Sequence, residues 1–214
     1  MPPGMTDEQR LKAIRAGDER AFLELYREHQ GAIYRFALRM SGEAALAEDV
    51  VQEVFMTLIG SADSTYEPQR GSLGGYLFGV ARNLVRRRLA ARGRWVSFFD
   101  DKYDQEPGGG TSSNLPNPEM SGDPASDLTG DPLFKLTRQE TIESVRQAIL
   151  ALPEHYREAI VLCDLHEMRY QEAAQILDCS LGTVRSRLHR GRLLLLDRLK
   201  GEGAVAEAGV VKPA

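Results

Sequence analysis

The sequence predicts an all-α protein, two small helical domains joined by a flexible acidic linker. Three observations carry that reading. No segment alternates apolar and polar residues with the period of two that a half-buried strand needs, whereas apolar residues return at helical spacing in several stretches. From about Val96 to Pro132 the periodicity stops, in a run rich in Gly, Pro, Ser, Asn and Asp centred on GGGTSSNLPNP. Such a run buries too little apolar surface to offset its ordering entropy. Finally, Tyr170–Leu195 reads as two helices about a tight turn, the second loaded with arginine. A chain of 214 residues suits one domain or two small ones, domains commonly running to about 100–150 residues.

Taken in order, Asp7–Ala16 carries a weak helical pattern closed by Gly17. A second helix places Phe22, Leu25, His29, Ile33, Phe36 and Met40 on one face and stops at Ser41-Gly42. A third, from about Ala44 to Ile59, turns Leu46, Val50, Val54 and Leu58 inward. Residues 60–75 hold Pro68, Gly71, Gly74 and Gly75 and read as a loop. A fourth helix from Tyr76 to about Arg92 buries Leu77, Ala81, Leu84 and Leu89. Beyond the linker, helices begin near Leu136; Ile142, Val145, Ile149 and Leu152 mark one, stopped by Pro153, and Tyr156, Ala159, Ile160 and Cys163 the next. The predicted boundaries are a first domain over 1–94, a linker over 95–135, a second domain over 136–200 and a disordered tail over 201–214. Trp95, Phe98 and Phe99 stand at the linker's start; they pack on the first domain or form a partner-dependent anchor.

The helix-turn-helix is the most specific local signal. Ala173, Ala174, Ile176 and Leu177 give its first helix an apolar face, Asp178-Cys179 breaks the pattern, and Ser180 is suited to cap the second helix through its hydroxyl. Leu181, Val184, Leu188 and Leu195 then face inward. Gly182, Ser186, His189, Arg190 and Leu193 lie opposite, flanked by Arg185, Arg187 and Arg192. A basic second helix after a short turn is how such a unit enters the DNA major groove, which makes DNA the first partner to consider.

Charge is segregated more than its net value of −4 suggests. Six arginines (82, 86, 87, 88, 92, 94) and no acid fall between Arg82 and Arg94, whereas eight acids face Lys102 alone between Asp100 and Asp131. Local patches of this kind, not the average, set the field that a polyanion meets. Two isolated cysteines, Cys163 and Cys179, make no disulfide framework and point to a reducing cytosol. No secretory signal is expected, and no apolar run approaches the roughly 20 residues of a membrane span, so a cytoplasmic protein is expected. Cys163-Asp164-Leu165-His166 lacks a second ligand pair, so no metal site is predicted. No phosphate loop, dinucleotide fingerprint or nucleophile elbow occurs. The expectation is therefore no catalytic residue, no cofactor, no small-molecule substrate and no enzymatic activity.

AEDVVQEVFMTLI (Ala47–Ile59) followed by YLFGVARNLVRRRL (Tyr76–Leu89) resembles region 2 of bacterial sigma factors, and LPEHYREAIVLCDLHEMRYQEAAQILDCSLGTVRSRLHRGRLLL (Leu152–Leu195) resembles region 4. With no domain between them, the chain resembles the extracytoplasmic-function (ECF) group. The resemblance implies a region-2 helical bundle and a region-4 helix-turn-helix, with core RNA polymerase, promoter DNA and an anti-sigma factor as partners. It implies promoter-specific transcription initiation, in which region 2 binds polymerase and opens the −10 element while region 4 reads the −35 element.

Carried over by position, Asp49, Gln52 and Glu53 face the polymerase; they stand at i, i+3 and i+4 and so share one polar face. For the −10 strand the resemblance implies Asn83 as a base reader, since an amide offers both donor and acceptor. Arg82, Arg86, Arg87 and Arg88 hold phosphates, and Tyr76 either stacks on a base or, as the first expectation, is buried. For the −35 element Arg185, Ser186, His189 and Arg190 are the base-edge candidates, and Thr183, Arg187 and Arg192 the phosphate candidates, Arg192 alternatively capping helix-terminal carbonyls. The acidic linker reads either as a nucleic-acid mimic threading the polymerase channel or as a solubilising tether. Two rival readings are a helix-turn-helix regulator that acts on duplex DNA without polymerase, and a sigma-like adaptor that sequesters a regulator.

Overall fold

The computed structural model describes residues 6–60, 66–93 and 132–208, with the side chains of Arg70, 132–138 and 201–208 outside the description. The expected linker up to Asp131, with Trp95, Phe98 and Phe99, lies outside the described residues. Among those residues the chain is helical and strandless, in eight α-helices with a 3₁₀ turn at Pro68–Arg70 and a π-helical turn at Val161–Leu165. The helices are α1 (Asp7–Arg15), α2 (Glu19–Ser41), α3 (Ala44–Gly60), α4 (Leu73–Ala91), α5 (Pro132–Leu150), α6 (Glu154–Ile160), α7 (Tyr170–Leu177) and α8 (Leu181–Ala208).

Local chemistry sets the boundaries. Thr6 and Gln9 form a reciprocal capping box on α1, and Asp18 accepts from the N–H groups of Arg20 and Ala21 to start α2. Helix α2 ends at Gly42, whose φ of +76° is left-handed. A side chain there would also meet Leu150, its Cβ only 2.9 Å from Cδ1, so both the turn and the close approach of α5 require glycine. Ser72 caps α4 by accepting from the Gly75 N–H at 3.0 Å, so the helix begins at Leu73, three residues upstream of the predicted start at Tyr76. Asp7 anchors the loop before it, accepting from Leu73 N–H at 2.9 Å and from the Tyr66 hydroxyl at 3.4 Å.

The first half closes around Leu25, Ile33, Phe36 and Met40 of α2, Leu46, Val50, Val54 and Leu58 of α3, and Leu77 and Ala81 of α4, all buried. These are the positions at helical spacing read from the sequence. The second half is built on Leu152, Ala159, Ile160, Leu162, Ala173, Leu177, Val184 and Leu188. Gly191 lets α8 lie on α6, since a Cβ would sit 3.1 Å from Ile160 and 3.3 Å from Tyr156.

Three features differ from expectation. Helix α5 starts at Pro132, inside the stretch assigned to the linker; proline is tolerated in a first helical turn, where its missing N–H has no partner to lose. Helix α8 continues to Ala208, into the segment expected to be disordered, because Ala and Glu extend an existing helix at little cost and only nucleation is expensive. Ile142, expected on an inward face, is 59% exposed. The apolar stripe of α5 therefore runs through Val145, Ala148 and Ile149 instead.

The two halves, expected as domains on a tether, lie against one another. Helix α4 packs on α7, and α2 on α5, α6 and the π-helical turn. Arginines fill this seam. Arg146 and Arg157 donate to the carbonyls of Gly42 and Met40 at 2.9 and 2.8 Å, satisfying free acceptors at the end of α2. Arg39 donates in the other direction, to the carbonyl of Leu165 at 3.2 Å. His166 presents its ring to Phe78 and Phe36, with centroids 5.2 and 6.3 Å apart.

Candidate nucleic-acid and polymerase interface

In the helix-turn-helix, α7 ends at Asp178 in the left-handed conformation (φ +53°), which asparagine and aspartate tolerate best among residues with a side chain. The chain reverses, the Cys179 N–H bonds the Ala174 carbonyl at 3.1 Å, and Ser180 accepts from the Thr183 N–H at 3.0 Å. The cap read from the sequence is thus formed. With Val184 and Leu188 fully buried behind them, Arg185 and His189 are exposed, and Ser186, Arg187 and Arg190 half-buried. Thr183 and Ser186 are partly occupied locally: the Thr183 hydroxyl is 2.9 Å from that of Ser180, and Ser186 donates to the Thr183 carbonyl at 3.0 Å. Arg192 holds neither a helix-terminal carbonyl nor an open position. Asp164 clasps it with bonds of 3.0 and 2.6 Å, raising the guanidinium's already high pKa.

On α4, Asn83 is exposed and, with Arg86, lines a cleft of about 830 Å³ whose far wall is α7, from Gln175 to Asp178. Tyr76 is half-buried, its ring 5.7 Å from that of Tyr66 and tilted by 64°. Two of the expected phosphate ligands turn toward α3 instead. Arg88 donates to Asp49 at 2.8 Å and to Glu53, and Arg87 donates to Glu53. The bond from Arg88 is the main reason that the Glu53 carboxyl lies below its ordinary pKa. A third expected ligand, Arg82, is buried, bonded twice to Glu158 and once to the Ile176 carbonyl. An isolated basic run gives no sign of this, because the partner stands 76 residues away.

Asp49, Gln52 and Glu53 do share the outer face of α3, the first two exposed and Glu53 half-buried. The same face continues into Met56 and Ile59, 67% and 49% exposed, which the sequence reading left unassigned. Their spacing of seven and ten residues from Asp49 was the available signal. A stripe that mixes carboxylates with exposed apolar side chains suits a protein partner better than DNA.

The fold and these surfaces define a two-part helical protein with a helix-turn-helix whose second helix is basic and a helix face that mixes carboxylates with exposed apolar side chains. The Sigma-70 region 2 family matches residues 25–94, and the Sigma-70 region 4 family residues 142–195. The chain is 35% identical over 178 residues to the ECF RNA polymerase sigma factor SigE of Mycolicibacterium smegmatis, a match spanning 82% of this chain but only 60% of that protein. It is 31% identical over 196 residues to the ECF RNA polymerase sigma factor SigW of Bacillus subtilis, spanning 92% of this chain and 98% of that one. Among solved structures, the sigma factor RpoE in complex with the anti-sigma factor NepR from Bartonella quintana superposes with a TM-score of 0.56 at 27% identity, over 84% of this chain and 96% of that one. The chain belongs to the ECF RNA polymerase sigma factors, the family whose members direct promoter-specific transcription. Among the described residues no helix is long and apolar enough to cross a membrane.

Proposed function

We propose that this chain binds core RNA polymerase through the α3 stripe of Asp49, Gln52, Glu53, Met56 and Ile59, and selects promoters with two separate readers. Helix α8 reads the −35 element in the duplex, with Arg185, Ser186, His189 and Arg190 at base edges and Thr183 and Arg187 at phosphates. Helix α4 holds the opened −10 strand, with Asn83 at a base, Tyr76 lining its approach, and Arg82 and Arg86 at phosphates. Arg87, Arg88 and Arg192 carry their charge beside these surfaces while tethered to acids. The observation that carries the reading is the pairing on α8 of exposed Arg185 and His189 with the wholly buried Val184 and Leu188. This arrangement offers a rigid helix's basic face to a groove. The chain acts in the cytoplasm as an initiation factor without catalytic chemistry of its own. An anti-sigma factor is its expected regulator, supported by the complex in which the Bartonella quintana relative was solved.

Run-off transcription with core polymerase and genomic promoter fragments tests this. Specific transcripts that depend on the chain, and that weaken with Arg185→Ala and with Asn83→Ala, are the expected result. Tight footprinting of duplex DNA by the chain alone, with no transcript in the presence of polymerase, would instead favour a regulator that needs no polymerase.

A further inference from the structure

Arg82 belongs by sequence to the basic run of α4 and stands beside Asn83, yet its guanidinium points into the protein. Nε and Nη2 bond the two carboxylate oxygens of Glu158 at 2.8 and 3.0 Å, and Nη1 bonds the Ile176 carbonyl at 3.2 Å. The side chains of Arg82 and Glu158 are only 10% and 3% exposed. The charges of a guanidinium and a carboxylate this buried compensate one another, since either alone would be an unpaired charge in a poorly solvated place. They can meet only while α4 lies against α6 and α7. Ser72, the cap of α4, adds a second bond to the same neighbour through Glu172 of α7 at 3.0 Å. The price of this closure falls on the cleft beside Asn83, because a wall of α7 residues stands where a strand lying along α4 would need to pass.

We infer that the second half of the polymerase-free chain is an intramolecular cover over the strand-holding helix, latched by Arg82 and Glu158, and that opening hands the Arg82 guanidinium from the Glu158 carboxylate to a DNA phosphate. The inference rests on the assignment of α4 to the opened strand. Carboxylate and phosphate both accept two parallel bonds from the planar guanidinium fork, so one side chain serves either state but not both together. The closed state then competes with the strand, and the apparent affinity for single-stranded DNA is the intrinsic affinity reduced by the open fraction. Arg39, Arg146 and Arg157, which bond backbone carbonyls across the same seam, steady the closed state without touching the cleft.

The test uses the full chain, a fluorescein-labelled 12-nucleotide single strand of mixed sequence read by anisotropy, and small-angle scattering for the radius of gyration. Glu158→Gln is expected to expand the chain and to tighten strand binding by about tenfold, the gain from releasing a closed state that outnumbers the open one by roughly ten to one. The charge exchange Arg82→Glu with Glu158→Arg is expected to restore compactness and to bind the strand more weakly than the natural chain. Equal compactness and equal affinity of the natural chain and Glu158→Gln overturn the latch. Expansion without tighter binding leaves the latch between the halves standing but overturns the cover and the transfer of Arg82 to DNA, and with them the assignment of α4. Should circular dichroism show Glu158→Gln unfolded, the exchange variant decides alone: compact and weakened in strand binding supports the latch, expanded overturns it.

Discussion

Asp164 grips Arg192 with both carboxylate oxygens, at 3.0 and 2.6 Å, and so ties the middle of α8 to the π-helical turn that precedes the helix-turn-helix. The guanidinium is half exposed and the carboxylate more than a quarter, so solvent screens the pair and its worth is about 0.5 kcal/mol. It adds to the packing of α8 on α6 and α7 through Val184, Leu188 and Gly191, which sets the helix face that carries Arg185 and His189. Arg192→Ala is therefore expected to lower Tm by about 1–2 °C and to weaken binding to −35 duplex DNA without changing its salt dependence. A phosphate ligand would behave otherwise, since losing one reduces the slope of log affinity against log salt by about one. A reduced slope for Arg192→Ala, measured by anisotropy between low and moderate salt, would return Arg192 to the phosphate ligands.

Base readout gives a different signature. Arg185 is exposed on the face that opposes Val184 and Leu188, and its fork can take a guanine edge with two parallel bonds. Arg185→Ala should cost about 1–3 kcal/mol against the preferred −35 sequence and much less against an altered one. The measurement is run-off transcription on a promoter set varied one −35 position at a time. Equal loss on every promoter would mean that Arg185 touches only the backbone.

The docking stripe is tested by charge. Reversing Asp49 and Glu53 together (Asp49→Arg, Glu53→Arg) removes both acceptors from the exposed face and sets four cations side by side, with Arg87 and Arg88. Co-purification with core polymerase should be abolished while the helical circular dichroism persists, because the stripe lies outside the core of Val50, Val54 and Leu58. Met56→Asp, in which no ion pair is broken, should weaken the same complex at least tenfold, as expected where a partner covers an apolar side chain. A polymerase complex indifferent to both variants would remove α3 as the docking surface.

How much of this was legible in the sequence depends on how local each cause is. Helices α2, α3 and α4 were readable because Leu25, Ile33, Phe36, Val50, Val54 and Leu77 recur at the helical period, and the close of α2 was readable because Gly42 has one dominant use there. The helix-turn-helix was readable from Ser180 and from the paired apolar faces of α7 and α8. The burial of Arg82 against Glu158 was not legible in the basic run of α4, because its partner stands 76 residues away. The pairing of Arg87 and Arg88 with Asp49 and Glu53 was hidden for a milder reason: α3 and α4 are neighbours, but nothing in either helix says which of two adjacent basic faces turns toward the acids. The π-helical turn has no local signature either. It coincides with three consecutive buried residues, Val161, Leu162 and Cys163, more than one stripe of a regular helix hides.

The seam between the halves should be weakened by acid. Burial, and then the charges of Arg39 and Arg35, push the His166 imidazole down to about 4 from an ordinary 6.5. Its Nε2 is enclosed with no hydrogen-bond partner, and its ring rests on Phe36 and Phe78. The unfolded chain binds this proton below about pH 6.5 and the folded chain only near pH 4, so between those values unfolding takes up a proton and stability falls with falling pH. The contribution is complete above pH 6.5 and does not change further below pH 4. His29, lowered mainly by burial, acts in the same direction. Glu53, whose pKa is lowered chiefly by Arg88, adds its own loss only at more acidic pH, below the ordinary carboxylate range. Because the His166 ring is partly exposed, its share at pH 5 is discounted to about 1 kcal/mol, or about 2–4 °C in Tm. Melting curves at pH 7 and pH 5 should show a drop in the natural chain that His166→Phe reduces by that amount, the phenyl ring keeping the contacts with Phe36 and Phe78 while removing the titration. An equal drop in both proteins would exclude His166 as the acid-sensitive group and leave His29 and the carboxylates to account for it.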